Sequence, residues 1–135
     1  MDSPEITEPD GALPVRDVAA EGFALAGKRS WRRAVRSWLA EHDFDQYAGD
    51  RFDSLPAIER TRLLLELTRQ RPGCRVVVLD QPDRHGGGPS TWHPLAEREA
   101  ARGSAVIVLC TPHSAATLTD ARVGAHAVDH DDGGR

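Results

Sequence analysis

The sequence predicts an α/β fold in which a helical N-terminal half is followed by a small parallel sheet with a crossover helix. Three observations carry this. Residues 15 to 70 hold apolar side chains at helical spacing, and residues 75–79 and 105–110 are short apolar runs bounded by turn formers. The two runs are separated by a polar loop and a helical pattern, which is the length of chain a parallel crossover needs.

Composition sets the outer limits. The chain has 135 residues, of which 39% are hydrophobic and 28% charged, enough for one domain with a modest core. The net charge is −4 and the pI is about 5.8, which argues against a nucleic-acid partner. Sixteen of the seventeen basic residues are arginine, several of them clustered on one helix. No run approaches the roughly 20 apolar residues of a membrane-spanning helix, and the first fourteen residues lack the pattern of a secretory signal. The expectation is a cytoplasmic protein that is not membrane-embedded. Cys74 and Cys110 fall at opposite ends of parallel strands, so no disulfide is expected between them.

Taken in order, residues 1–14 carry three prolines and four acids and predict a mobile tail unless some partner orders it. Residues 15 to 26 have apolar positions at 15, 18, 19 and 23, which predicts a helix ending near Gly27 and weakened by Gly22. Ser30 is a good N-cap for the next helix, whose stripe is Trp31, Ala34, Val35, Trp38 and Leu39. Its other face carries Arg32, Arg33 and Arg36, read as a solvated polar face. Residues 42 to 53 read as a loop. Asp53 or Ser54 can cap a helix that has Pro56 in its first turn and runs to about Gln70. Pro72 and Gly73 then turn the chain into a strand at 75–79, apolar enough to be buried on both faces. A helix around residues 93–102 leads to the second strand. A short helix at 114–120, a last strand at 122–128 and an acidic tail at 129–135 complete the expectation, with one domain spanning 15–128, divided into 15–70 and 71–128.

The order of these pieces resembles the C-terminal part of an ATP-binding-cassette (ABC) transporter ATPase: helical subdomain, signature helix, Walker B strand and H-loop, with no N-terminal Walker A half. The resemblance rests on Leu-Pro-Ala-Ile-Glu at 55–59, Arg-x-Arg-Leu from Arg60 to Leu63, the VVVLD run ending at Asp80 with Gln81 and Pro82 next, and the strand at 105–110. It covers residues 15 to 128.

What the resemblance implies is a scaffold stripped of its chemistry. The family's signature, Leu-Ser-Gly-Gly-Gln, presents a hydroxyl and free amides to a γ-phosphate. The aligned Leu55, Pro56, Ala57, Ile58 and Glu59 supply no hydroxyl, add carbon where glycine allows close approach, and end in a negative charge. Asp80 stands where the family holds Mg²⁺. At the general-base position stands Gln81, whose amide takes no proton at neutral pH. Thr111 aligns with the switch histidine, and His113 follows two residues later. The implied function is a non-catalytic binding or accessory subunit of a transport system, with no cofactor, partnered by a membrane permease subunit or an ABC-ATPase chain at the inner face of the membrane.

Two other readings compete. Residues 22 to 28 read GFALAGK, which fits G-x-x-x-x-G-K; a small P-loop NTPase would use Gly22, Gly27 and Lys28 for ATP phosphates and Asp80 for Mg²⁺, and requires a strand before Gly22. An interaction or regulatory module without nucleotide is the other. His126, Asp129, His130, Asp131 and Asp132 fit no strict metal template and read as a solubilising end. Cys110 reads as a buried, inert thiol.

Overall fold

The computed structural model describes residues 9–118, apart from 86 and 87. Residues 10 to 14 are anchored: Leu13 packs against the helical core, Pro14 bridges Arg51 in antiparallel fashion, and the Phe52 N–H donates to the Leu13 carbonyl at 2.9 Å. The expected tail therefore does not include them.

Helix α1 (Val15–Leu25) forms because Val15, Val18, Ala19 and Phe23 recur on one face, and all four are buried. Its left-handed terminator is Gly27, at φ +69°. Gly22 sits inside this helix, where a Cβ would meet the Leu67 Cδ2 at 2.9 Å and its Cβ at 3.3 Å. Helix propensity is given up here for a close approach between helices.

Helix α2 (Arg32–Glu41) starts one residue later than a Ser30 cap implies. Trp31 is its N-cap and no side chain caps it. Trp31 is consequently off the apolar stripe, 65% exposed, with the Arg29 guanidinium 4.9 Å over its ring. Ala34 is also exposed, so the buried stripe narrows to Val35, Trp38 and Leu39. Trp38 lies edge-on to Phe23 and stacks on His42.

Helix α3 (Ala57–Arg69) takes Pro56 as N-cap. Neither Asp53 nor Ser54 caps it, because Asp53 pairs with Arg51 at 2.7 Å and the Ser54 hydroxyl donates to the Arg51 carbonyl at 2.7 Å. Leu63 and Leu67 enter the helical core with Phe44, Phe52 and Leu55, whereas Leu65 joins Val77 and Leu95 in a second, smaller core beneath the sheet. One helix thus serves two cores.

Strand β1 (Val76–Asp80) pairs in parallel with β2 (Ala105–Leu109), in the register Val76↔Ala105 to Asp80↔Leu109. Helix α4 (Pro89–Ala101) connects them, as the spacing predicts, but begins four residues earlier than expected. Pro89 at its first position presets the dihedral, and the interior Pro94 removes one helical donor without ending the helix. Helix α5 (Pro112–Leu118) follows β2. The expected strand at 122–128, the acidic tail, and the cluster from His126 to Asp132 lie outside the described residues.

The sheet departs from expectation in one respect that matters. Val77 is buried and Leu79 partly so, facing α3 and α4, but Val76, Val78, Ile107 and Leu109 are 52, 45, 50 and 52% exposed. The strands are not buried on both faces. Alternation along a pleated strand puts these four on the opposite side from Val77, where no described element packs.

Charge fastens the two cores together. The Glu66 carboxylate on α3 accepts from Arg69 at 3.0 Å and from Arg102 at 3.2 Å, and Arg102 also donates to the buried Glu99 of α4 at 2.9 Å. Such a network stabilises little against apolar alternatives, but losing one member leaves a buried charge.

Gly22→Val should lower the unfolding free energy by about 1–3 kcal/mol through overpacking against Leu67. Urea titration followed by circular dichroism checks this, and an unchanged midpoint would show that α1 and α3 do not meet there.

Candidate functional site

Ligands of parallel α/β sheets collect where strands end, and here the carboxyl ends of β1 and β2 bring together Asp80, Gln81, Asp83, Cys110 and Thr111. Gln81 turns the chain out of the sheet at φ +45°, while its N–H donates to the Leu109 carbonyl at 2.7 Å. A non-glycine residue in that region carries a modest strain, on the order of 1 kcal/mol. The turn leads into a 3-10 segment, Pro82–His85.

The acid that this corner organises is Asp83, not Asp80. Asp83 accepts the indole N–H of the buried Trp92 at 2.6 Å and the backbone N–H of Thr111 at 3.4 Å, with the Ser114 hydroxyl also in reach. Burial pushes its carboxyl up, but the bonds from Trp92, Ser114 and Thr111 together outweigh that and hold it below the ordinary carboxylate value. Thr111, at the switch-histidine position, is a helix cap: its Oγ1 accepts the Ser114 N–H at 3.3 Å. Nothing in the local pattern singles out Asp83; the available signal was Trp92, since a buried indole requires an acceptor.

Asp80 is exposed and belongs to the uncovered side of the sheet with Val76 and Val78. His113 is exposed in the first turn of α5. No group of three His, Cys, Asp or Glu side chains able to hold a metal occurs among the described residues. Burial first, then the Asp83 charge, pushes the Cys110 thiol up, which keeps it protonated. Both cysteines are free.

The signature positions open α3. Leu55 is buried, Pro56 precedes the helix, and Ala57, Ile58 and Glu59 form its first turn. Glu59 is engaged by Arg62 at 2.7 Å, and Arg62 in turn donates to the His42 carbonyl and lies 4.1 Å over the Phe44 ring. Asp80 and Gln81 line a groove of about 710 Å³ that also reaches α1 and α3 through Gly22, Ala57 and Arg60.

The phosphate-loop reading meets a direct obstacle. Gly22 is helical, Gly27 ends that helix, and Lys28 donates to the Gln70 side chain at 2.5 Å. A helix precedes Lys28 where a phosphate cradle needs a strand and an open loop, so Gly22, Gly27 and Lys28 do not form the predicted site. The helical half exposes Leu25, Trp31 and Ile58, four apolar side chains are exposed on one side of the sheet, and Trp38 is buried. Arg32, Arg33 and Arg36 are exposed, as a solvated face requires.

Comparison with known proteins brings two findings that differ. A chain of a metal-chelate type ABC transporter, solved in an inward-facing conformation, superposes with a TM-score of 0.50 over 84% of this chain and 47% of that one, at 16% sequence identity. The fold is ABC-transporter-like. In sequence, the chain is 37% identical over 114 residues to biotin-dependent acyl-coenzyme A carboxylase beta3 subunits of Mycobacterium bovis and of Mycobacterium tuberculosis. That match takes in 83% of this chain but only 22% of the relatives' length. No family model matches. No helix among the described residues is long and apolar enough to cross a membrane.

Because the folded Asp83 carboxyl lies below its unfolded value of about 3.9, its contribution to stability is present above that pH and disappears as pH falls through the folded value. Trp92→Phe should therefore cost about 1–2 kcal/mol at pH 7, discounted for partial exposure. The gap to the native chain should narrow as pH falls below the ordinary carboxylate value, as followed by urea titrations across pH. A gap independent of pH would mean that the indole bond does not depend on the charge.

Proposed function

We propose that this chain is a non-catalytic ABC-ATPase-like module that acts as a binding or accessory subunit of a transport system, working at the inner, cytoplasmic face of a membrane beside a permease subunit or an ABC-ATPase chain. The observation that carries the reading is the ABC-transporter-like scaffold whose chemical positions hold the wrong groups. At the signature, Pro56 offers no N–H, the Ile58 side chain stands where a phosphate would approach, and Glu59 repels it while being held by Arg62. At the catalytic positions, Gln81 is spent on a strained turn and Thr111 on capping α5. Asp80 alone keeps the family's chemistry, and His113 is the nearest imidazole in sequence to the switch position.

The ABC-transporter chain that this fold resembles is about twice as long in matched terms, since 84% of one covers 47% of the other. A partner that covers the open side of the sheet supplies a reason for Val76, Val78, Ile107 and Leu109 to stay apolar at half exposure. A second reading, favoured by the 37% identity, makes the assembly a biotin-dependent carboxylase rather than a transporter, with this chain as a non-catalytic module within it. Both readings give a docking role and no resident cofactor. The P-loop NTPase reading would instead need ATP and Mg²⁺ bound.

Calorimetry with ATP, with and without Mg²⁺, separates them. The expected result is no binding heat in the micromolar range for the native chain, and none for Lys28→Ala or Asp80→Asn. Micromolar affinity lost in both variants would overturn the reading.

A further inference from the structure

The charge of the chain is divided unevenly. Residues 22–40 hold Lys28, Arg29, Arg32, Arg33 and Arg36, while all 21 acidic side chains lie outside that stretch, in a protein of net charge −4. The stretch is the end of α1, the turn after it and nearly all of α2, so the five cations gather at one end of the α1–α2 pair. All five are exposed, and Arg36 follows Arg32 by one turn on the same side of its helix. Among the described residues Lys28 donates to the Gln70 side chain, Arg29 lies over the Trp31 ring, and none of the five is held in an ion pair. Asp17 and Asp45 share a cleft with Arg32 and Arg36, but Arg16 already matches Asp17 at 3.8 Å.

Two large apolar side chains stand at the same end. Leu25, the last residue of α1, is 68% exposed, and Trp31, the N-cap of α2, is 65% exposed. Most of each side chain therefore stands clear of the described protein, with the left-handed Gly27 turning the chain between them. An indole is apolar in body and polar at its N–H, so it settles at a boundary between hydrocarbon and water. Guanidiniums beside it suit the phosphates of anionic headgroups. A soluble polyanion would satisfy the arginines and leave Leu25 in water.

We propose that the α1–α2 turn is a peripheral membrane-binding site, with Leu25 and Trp31 entering the headgroup boundary and the five cations facing anionic phospholipid. Repulsion between the same surface and the acidic remainder orients the chain on the bilayer. Each basic side chain near such a surface raises partitioning about fivefold. The site stands apart from docking on a permease or an ATPase chain: vesicles of lipid alone contain neither, so lipid binding can fail while docking holds, and the reverse.

Co-sedimentation of the full chain with lipid vesicles tests the proposal. The native chain should bind vesicles of equal parts phosphatidylglycerol and phosphatidylcholine, should not bind phosphatidylcholine alone, and should be released at high salt. Arg32→Glu combined with Arg33→Glu should lower the partition coefficient about tenfold or more. Acids in a first helical turn favour the helix, so that loss would not come from unfolding. Trp31→Ser should lower it by about tenfold. Trp38 and Trp92 are buried, so a blue shift of tryptophan emission on anionic vesicles reports on Trp31. A native chain that ignores anionic vesicles, or binds both compositions equally, would overturn the proposal. So would binding unchanged in Leu25→Ser and Trp31→Ser, which would assign the arginines to a soluble polyanion such as a nucleic acid.

Discussion

Two parallel strands have two faces, and the described elements pack on one. Parallel sheets are ordinarily covered on both sides because each crossover deposits a helix and successive crossovers supply both layers. Here the described sheet has one crossover, α4, and it joins α3 on the face of Val77 and Leu79. The bulk of the buried apolar surface is accordingly in the helical half, around Val15, Phe44, Phe52 and Leu63, and the sheet depends on its attachment to α3. Among the described residues that attachment includes Leu65 and the charges of Glu66, Arg69, Glu99 and Arg102. The geometry of the strand ends, and of any surface they offer, follows from how firmly α3 stands between the two cores.

The same constraint separates scaffold from chemistry. Asp83 fastens β1's exit to α4 through Trp92 and to β2's exit through Thr111, so the carboxyl corner is tied together by a carboxylate that bonds to the protein itself. Gln81, Thr111 and Glu59 are each occupied by structural partners. A likeness in fold to an ABC-transporter chain and a likeness in sequence to part of a carboxylase subunit are compatible with such a module, because a scaffold can be kept while its site is lost and its partner changes.

Periodicity made much of the fold legible. Val15, Val18, Ala19 and Phe23 predicted α1; Leu63 and Leu67 lie on a helix announced by its apolar spacing; and the two apolar runs with a helix between them predicted a parallel pair, found in register from Val76 to Asp80. Helix starts were less legible. Ser30, Asp53 and Ser54 are all good caps by residue type, yet Trp31 and Pro56 occupy the cap positions, because the chain entering each helix is fixed by contacts distant in sequence, such as the pairing of residues 11–14 with 51–53. Exposure of Val78 and Ile107 was hidden for another reason. An apolar run does not say how many layers will cover it. Asp83 and Trp92, nine residues apart, carry no periodic signal at all.

The central claim is that the second face of the sheet, which no described element covers, is the surface that the proposed docking role uses. Replacing Val78 and Ile107 together by threonine preserves β-branching while placing two hydroxyls on that face, and the unfolding free energy of the purified chain reads the result. An uncovered face predicts a change within about 1 kcal/mol of the native chain, as for surface substitutions. A loss of several kcal/mol, of the size expected when hydroxyls are buried without partners, would mean that the face is already covered and would contradict the account.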